Sequence, residues 1–266
     1  MSTDTTVLKL VLTPLLIGAA SLAGRRWGQA VSGWLVGLPL TSAPIAFFLA
    51  LEHGTGFAAA AALGSLMGAL AEVAFCVAYA WLAPRRRWWI AFAAAGAGFA
   101  AVAVLLQRLA PPPLALVLAV FAFLALTLRL LPRGSARATR SSPPAWDIPA
   151  RMFITTVLVL AITGFAPMLG PRLSGVLATF PVYAGILTVF AHRLDGAAAA
   201  VEVLRGLLLG LFAFAGFFVV LGAALEPLGV APAFAAATVT ALAIQAGSLW
   251  FVLASPRAGA ARISSG

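Results

Sequence analysis

The sequence predicts an all-α integral membrane protein of nine transmembrane helices, arranged as an inverted-topology repeat of five spans plus four. Three observations lead there: a composition too apolar for a water-facing surface, nine apolar stretches of membrane-crossing length, and a self-match at a fixed offset. Of the 266 residues 63% are hydrophobic and 9% charged, with a mean hydropathy of +1.07. Soluble domains carry about 25% charged residues. A soluble enzyme, a nucleic-acid binder and a secreted disulfide scaffold are therefore excluded. The one cysteine, Cys76, excludes an internal disulfide and a cysteine-built metal cluster.

A helix crossing a hydrocarbon core of about 30 Å needs roughly 20 mostly apolar residues. Reading between charges and Gly/Pro interruptions gives spans at 7–24, 29–51, 55–83, 88–107, 112–131, 152–169, 172–191, 203–225 and 230–253. The first has the SLAG sequence of a leader after its apolar run, but Asp4 and a weakly basic start argue for a retained helix. The longest interruption, 132–150, is polar, basic and proline-containing, which predicts a solvated cytoplasmic linker. It divides a first membrane repeat (1–131) from a second (151–254), and a cytoplasmic tail follows at 255–266.

Nine spans place fourteen basic residues on one side, from Arg25 and Arg26 through Arg85–Arg87, Arg129–Arg151, Arg193 and Arg205 to Arg262. The other side keeps Lys9, Arg108 and Arg172. Cytoplasmic loops carry the excess of Lys and Arg, so the N-terminus is expected outside and the C-terminus inside. The location that fits is a bacterial cytoplasmic membrane.

Shifting the chain by 142 residues aligns GQAVSGWLVGLPL with GPRLSGVLATFPV. Identities fall at Gly28/Gly170, Ser32/Ser174, Gly33/Gly175, Leu35/Leu177 and Pro39/Pro181, and continue ungapped through Phe48/Phe190, Gly54/Gly196, Gly64/Gly206 and Gly68/Gly210. Spans 1–4 map onto spans 6–9. With five spans per unit, equivalent helices run in opposite directions, as in many secondary transporters. The run SGWLVGLPLTSAPIAFFLALEHG resembles a motif of small bacterial membrane proteins that include the GlpM family, and its second copy, SGVLATFPVYAGILTVFAHRLDGAAAAVEVLRG, resembles GlpM in glycine, Phe-Pro and Glu-x-x-Arg placement. The resemblance covers the first three spans of each half. It implies a fused, inverted duplication of such a unit and brings no established activity.

Pro39 and Pro181 fall near the middle of equivalent spans. Proline removes a backbone donor and clashes with the carbonyl four residues earlier, here Leu35 and Leu177. A freed carbonyl in hydrocarbon must face protein, water or ligand. Polar side chains accompany both breaks: Ser32, Thr41 and Ser42 at the first, Ser174, Thr179 and Tyr183 at the second. One reading is a paired midplane site between broken helices. The other is two ordinary kinks whose hydroxyls satisfy nearby carbonyls.

Glu72 lies deep in the third span, where an acid costs about 2.5–3.5 kcal/mol even on the lenient insertion scale for Asp. Such residues face the bundle interior or a wet cavity and mark ion or proton paths. The bland alternative is a protonated glutamate bonded to a neighbouring helix, with Gln245 as a candidate partner. Glu202 and Arg205 are spaced to pair on one helix face, and Arg205 is equally suited to snorkel to the interface. His53 and His192 read as interfacial, and the Gly64/Gly68 and Gly206/Gly210 stripes as close packing. The Arg129–Arg140 stretch would attract anionic lipid.

The function expected from these features is a small secondary transporter or permease, with proton coupling through Glu72 as the simplest energy source. Its expected partners are the lipid bilayer and a small solute, without a cofactor, metal or nucleic acid. The alternative is a non-transporting assembly or partner subunit. No nucleophile–base pair points to an enzyme.

Overall fold

The computed structural model describes residues 3–39, 42–132, 146–165 and 180–254, and among them every regular element is a helix. In chain order these are α1 (Thr3–Trp27), α2 (Gln29–Val36), α3 (Ser42–His53), α4 (Thr55–Leu82) and α5 (Trp88–Leu109). There follow α6 (Pro113–Leu130), α7 (Asp147–Phe165), α8 (Val182–Asp195), α9 (Ala197–Leu228) and α10 (Val230–Ala254). Five are long and apolar enough to cross a membrane: α4, α5, α6, α9, and α10 over Val230–Leu249. The chain is a multi-pass membrane protein. The expected second span is cut by Pro39 into helices of 8 and 12 residues. The expected seventh is described only from Phe180 onward.

α4 and α9 form the centre. They supply the fully buried Phe75, Tyr79, Phe217 and Phe218; α2, α3, α5, α6, α8 and α10 pack against one or both of them, while α1 and α7 pack on each other, α1 also on α2 and α7 on α8. Gly56 lies against Glu226, and Ala59 and Ala62 lie against Gly222. Residue numbers rise along one helix as they fall along the other, so α4 and α9 are antiparallel. The outer helices bury one stripe each, at Ala91, Ala95, Phe99 and Ala103 of α5 and at Leu116, Val120 and Leu124 of α6. Their other faces expose Leu105, Leu114, Leu118 and Leu126, which suits lipid and not water.

Glycine and proline set where helices start. Gly54 and Gly196 adopt φ of 88° and 91°, a region that side chains with a Cβ rarely occupy, and each caps one of the long central helices. Ala58 N–H donates to the Gly54 carbonyl at 3.2 Å and Ala200 N–H to the Gly196 carbonyl at 3.3 Å. After each proline the chain does the same thing again: Ala43 N–H donates to Pro39 O at 2.9 Å, and Gly185 N–H to Pro181 O at 2.7 Å. Two aromatic pairs also match in position, Phe75 edge-on to Phe92 at 5.9 Å and Phe217 edge-on to Phe234 at 6.1 Å.

Arginines gather at one end through direct contacts. Arg25 and Arg151 both pair with Asp147 at 2.9 Å, while Arg151 also stacks on Phe190 and Arg193 on Trp88. Arg205 donates to the Leu128 and Leu131 carbonyls at 3.1 and 2.9 Å, capping the end of α6. The stretch read as a linker therefore ends earlier than 150, because Asp147 begins α7 and is 1% exposed.

Candidate binding cavity between two helix breaks

At the first break the last turn of α2 tightens. Leu38 N–H donates to the Leu35 carbonyl at 3.3 Å, so the carbonyl expected to be orphaned by Pro39 is partnered. The tightening releases the carbonyl one residue earlier, Trp34. Gln245 Nε2 reaches it from α10 at 3.1 Å, and Trp34 Nε1 donates to Ser248 Oγ at 2.8 Å. Gln245, 4% exposed, is thus a cap on the broken helix, and its Oε1 has no partner among the described residues. It is not bonded to Glu72.

Backbone approaches backbone beside this break. A methyl at Gly33 would fall inside the Val203 carbonyl, one at Gly206 inside the Ala30 carbonyl, and one at Gly37 would stand 2.6 Å from the Gly210 Cα. The second glycine stripe therefore packs against α2, as a small-residue stripe allows. Gly64, at the matching position of the other half, faces open space.

At the second break Val182 N–H donates to the Phe180 carbonyl at 2.7 Å across Pro181, whose φ of −76° and ψ of 63° make an inverse γ-turn. Phe180 inserts its ring edge-on among Phe75, Phe92 and Phe99, with centroids 5.4–6.3 Å away. Tyr183, one residue into α8, bonds through its hydroxyl to Thr13 of α1 at 2.9 Å.

The two breaks meet at a cavity of about 70 Å³ lined by Leu16, Ala19 and Ala20 of α1, Leu35, Val36 and Leu38 at the first break, and Tyr183 at the second. A water needs roughly 10–15 Å³ of such space, so the cavity has room for a few. Pro39 and Pro181 are both buried but do not line it, and Ser42 is half-buried at the start of α3. Thr41 and Thr179 lie outside the described residues, as does Ser174.

Glu72 does not line this cavity. It is half-buried on the inward face of α4, among the fully buried Ala69, Phe75, Cys76 and Tyr79 that fall three, four and seven residues away. No hydrogen bond or ion pair reaches its carboxyl from the described residues. α4 and α8 run parallel here, with Phe75 against Gly185 and Tyr79 against His192, so Glu72 stands level with the start of α8.

Three features were not read from the sequence. Tyr79 Oη and His192 Nδ1 are 3.1 Å apart, which draws His192 inward from the interface it was assigned to. Burial pulls this imidazole below its ordinary value. Asp147 ties α1 to α7 through Arg25 and Arg151, a pairing whose i,i+4 half is visible as spacing. Burial lowers the Arg151 guanidinium, against the opposing charge of Asp147. Lastly, Gln29 donates to Asp195 at 3.1 Å, joining α2 to the end of α8, while burial raises the Asp195 carboxyl.

Fold and site define a multi-pass α-helical membrane protein in which two proline-interrupted segments contribute to one partly open cavity. No protein-family model, no curated protein and no solved structure matches the chain.

Proposed function

We propose that the protein is a small secondary transporter or permease of a bacterial cytoplasmic membrane, built from two inverted copies of one unit. The observation that carries this reading is the cavity between the breaks at Pro39 and Pro181. Secondary transporters with inverted repeats bind substrate where interrupted helices expose backbone between the copies. Support for duplication comes from the matched backbone bonds at Gly54/Gly196 and Pro39/Pro181, and from the matched Phe75–Phe92 and Phe217–Phe234 pairs. Support for inversion comes from the antiparallel contact of α4 with α9. The arginines gathered at one end favour an N-terminus outside and a C-terminus inside. The likeness to GlpM-like proteins fits such a fused unit.

A non-transporting partner subunit is the second reading, favoured by one observation: six of the seven residues that line the cavity are apolar. Labelling separates the two. In a Cys76→Ala background, a single cysteine replaces Leu38 or Tyr183, and a membrane-impermeant thiol reagent is applied from each side of oriented vesicles. A transporter gives labelling from both sides, in proportions that an imposed proton gradient shifts. A scaffold gives none from either side.

A further inference from the structure

The turn between α4 and α5 carries Arg85, Arg86 and Arg87 in succession, and all three are exposed. Both helices are long and apolar enough to cross a membrane, so the turn that joins Leu82 to Trp88 lies at headgroup level. The end of α8 is brought against this turn. Tyr79 Oη and His192 Nδ1 are 3.1 Å apart, and the Arg193 guanidinium stands over the Trp88 ring at 5.5 Å. Arg193 is exposed as well, so two segments supply four exposed guanidinium groups to one corner of the protein.

Other arginines of the same end are engaged from within. Asp147 pairs with Arg25 and Arg151, both at 2.9 Å, and Arg205 is bound to the Leu128 and Leu131 carbonyls. Asp195, two residues beyond Arg193, accepts from Gln29 at 3.1 Å. Among the described residues no carboxylate pairs with Arg85, Arg86, Arg87 or Arg193. Guanidinium groups held together without a counter-charge repel, and the rigid arginine fork matches phosphate oxygens in pairs. We propose that this corner binds the phosphodiester headgroup of an anionic phospholipid, held between the α4–α5 turn and the end of α8. The site is separate from the cavity and does not depend on the transport reading.

Two observations make lipid the source of the phosphate. Every exposed tryptophan among the described residues, Trp27, Trp81, Trp89 and Trp146, stands at the arginine-bearing end. Trp81 and Trp89 flank the three turn arginines, and such rings sit at the level of lipid headgroups. Beneath Trp89 the surface of α5 is low: every exposed residue between it and Val104 is alanine, Ala93, Ala97, Ala100 and Ala101. The neighbouring surface of α6 instead exposes Leu114, Leu118 and Leu126. From Trp89 to Ala100 the helix rises about 16 Å, roughly one leaflet of a hydrocarbon core about 30 Å thick. An acyl chain can therefore lie along α5 while its headgroup meets the arginines, as headgroups do at basic sites between membrane helices.

Titration of the purified full-length protein with phosphatidylglycerol, followed by native mass spectrometry, tests the site. Phosphatidylcholine of the same chains and free glycerol phosphate are the comparison probes. The native protein is expected to bind phosphatidylglycerol more tightly than phosphatidylcholine, with no displacement by glycerol phosphate. Arg86→Gln with Arg87→Gln should weaken binding about 25-fold, at about fivefold for each arginine near the headgroup. Arg86→Lys with Arg87→Lys should recover most of it. Arg26→Gln with Arg129→Gln removes two exposed charges at the ends of α1 and α6. It should weaken binding less than about twofold, because charges beyond about 10 Å are largely screened. All of these positions are exposed, so melting without lipid should stay unchanged. Equal affinity for the two lipids would overturn the site, and equal losses in the two glutamine variants would reduce it to the diffuse field of the whole end. Displacement by glycerol phosphate would assign the arginines to a soluble anion and overturn the lipid assignment.

Discussion

The two helix breaks share one backbone bond and have different surroundings. Each proline carbonyl accepts the fourth N–H that follows it. At the first break, glycines of α2 and α9 bring main chain onto main chain, and Gln245 and Ser248 of α10 bind the exposed Trp34 peptide and indole. At the second, Phe180 is wedged edge-on among three rings, and the acid Glu72 stands level with the helix start. The first site is closed by main chain with no room for a side chain, and the second is filled by aromatic edges. Equivalent positions have thus been given different surroundings, main-chain contacts and side-chain donors at the first break and aromatic rings at the second.

The largest expected effect breaks that comparison at its tightest contact. Gly206→Ala drives a methyl into the Ala30 carbonyl, and since neither helix can yield locally, it should cost about 3 kcal/mol or more, the upper end of overpacking penalties. Gly64→Ala, at the matching position, meets open space and should stay within about 0.5 kcal/mol of the native protein. Thermal unfolding of the purified variants reads both. Equal losses at the two glycines would remove the asymmetry.

A middle-sized effect is expected at the polar closure of the first break. Gln245→Leu strips the Trp34 carbonyl of its donor and should destabilise by about 1–3 kcal/mol, the cost of an unsatisfied buried acceptor. Unchanged stability in the same unfolding assay would mean that the carbonyl finds another partner and that the amide is free for a ligand.

The smallest effect is a pH dependence on the second side. Burial lowers the His192 pKa in the folded state below its ordinary value near 6.5. Between the folded and unfolded pKa values the unfolded chain binds more protons, so stability from this residue is present above about pH 6.5 and is lost as pH falls below it. Asp195 works in the opposite direction and at lower pH, because burial raises its pKa from 3.8 and favours the folded state when protonated. Melting followed from neutral pH downward should therefore show an initial decline, reduced in His192→Phe. A decline of the same size in that variant would assign it to other groups.

Much of the helical order was legible in the sequence. Charges and glycine or proline punctuation marked the starts of α2, α4, α5 and α10 at residues 29, 55, 88 and 230, as well as the break at Pro39. These are local effects of backbone geometry, which a single sequence carries in full. Partners were less legible, because they depend on which helices meet. Gln245 was assigned to a site or to Glu72, and it caps Trp34 because the last turn of α2 tightens by one residue. Arg205 was matched with Glu202 on its own helix, and it also reaches across to carbonyls of α6. His192 carried no sequence signal for Tyr79, which lies 113 residues earlier. Of the candidate site residues, Tyr183 lines the cavity, Pro39 follows its lining residue Leu38, Pro181 stands two residues before Tyr183, and Glu72 lies apart from it.

The antiparallel pairing of α4 with α9 is the contact on which an inverted duplication depends, and cysteine cross-linking tests it most directly. In a Cys76→Ala background, Gly56→Cys is combined either with Glu226→Cys or with Ala198→Cys, the position equivalent to 56 in the second half. Gly56 lies against Glu226, so the first pair should form a disulfide in membranes under mild oxidation and the second should not. A disulfide between positions 56 and 198, with none between 56 and 226, would mean that the two halves run in the same direction and would contradict the account.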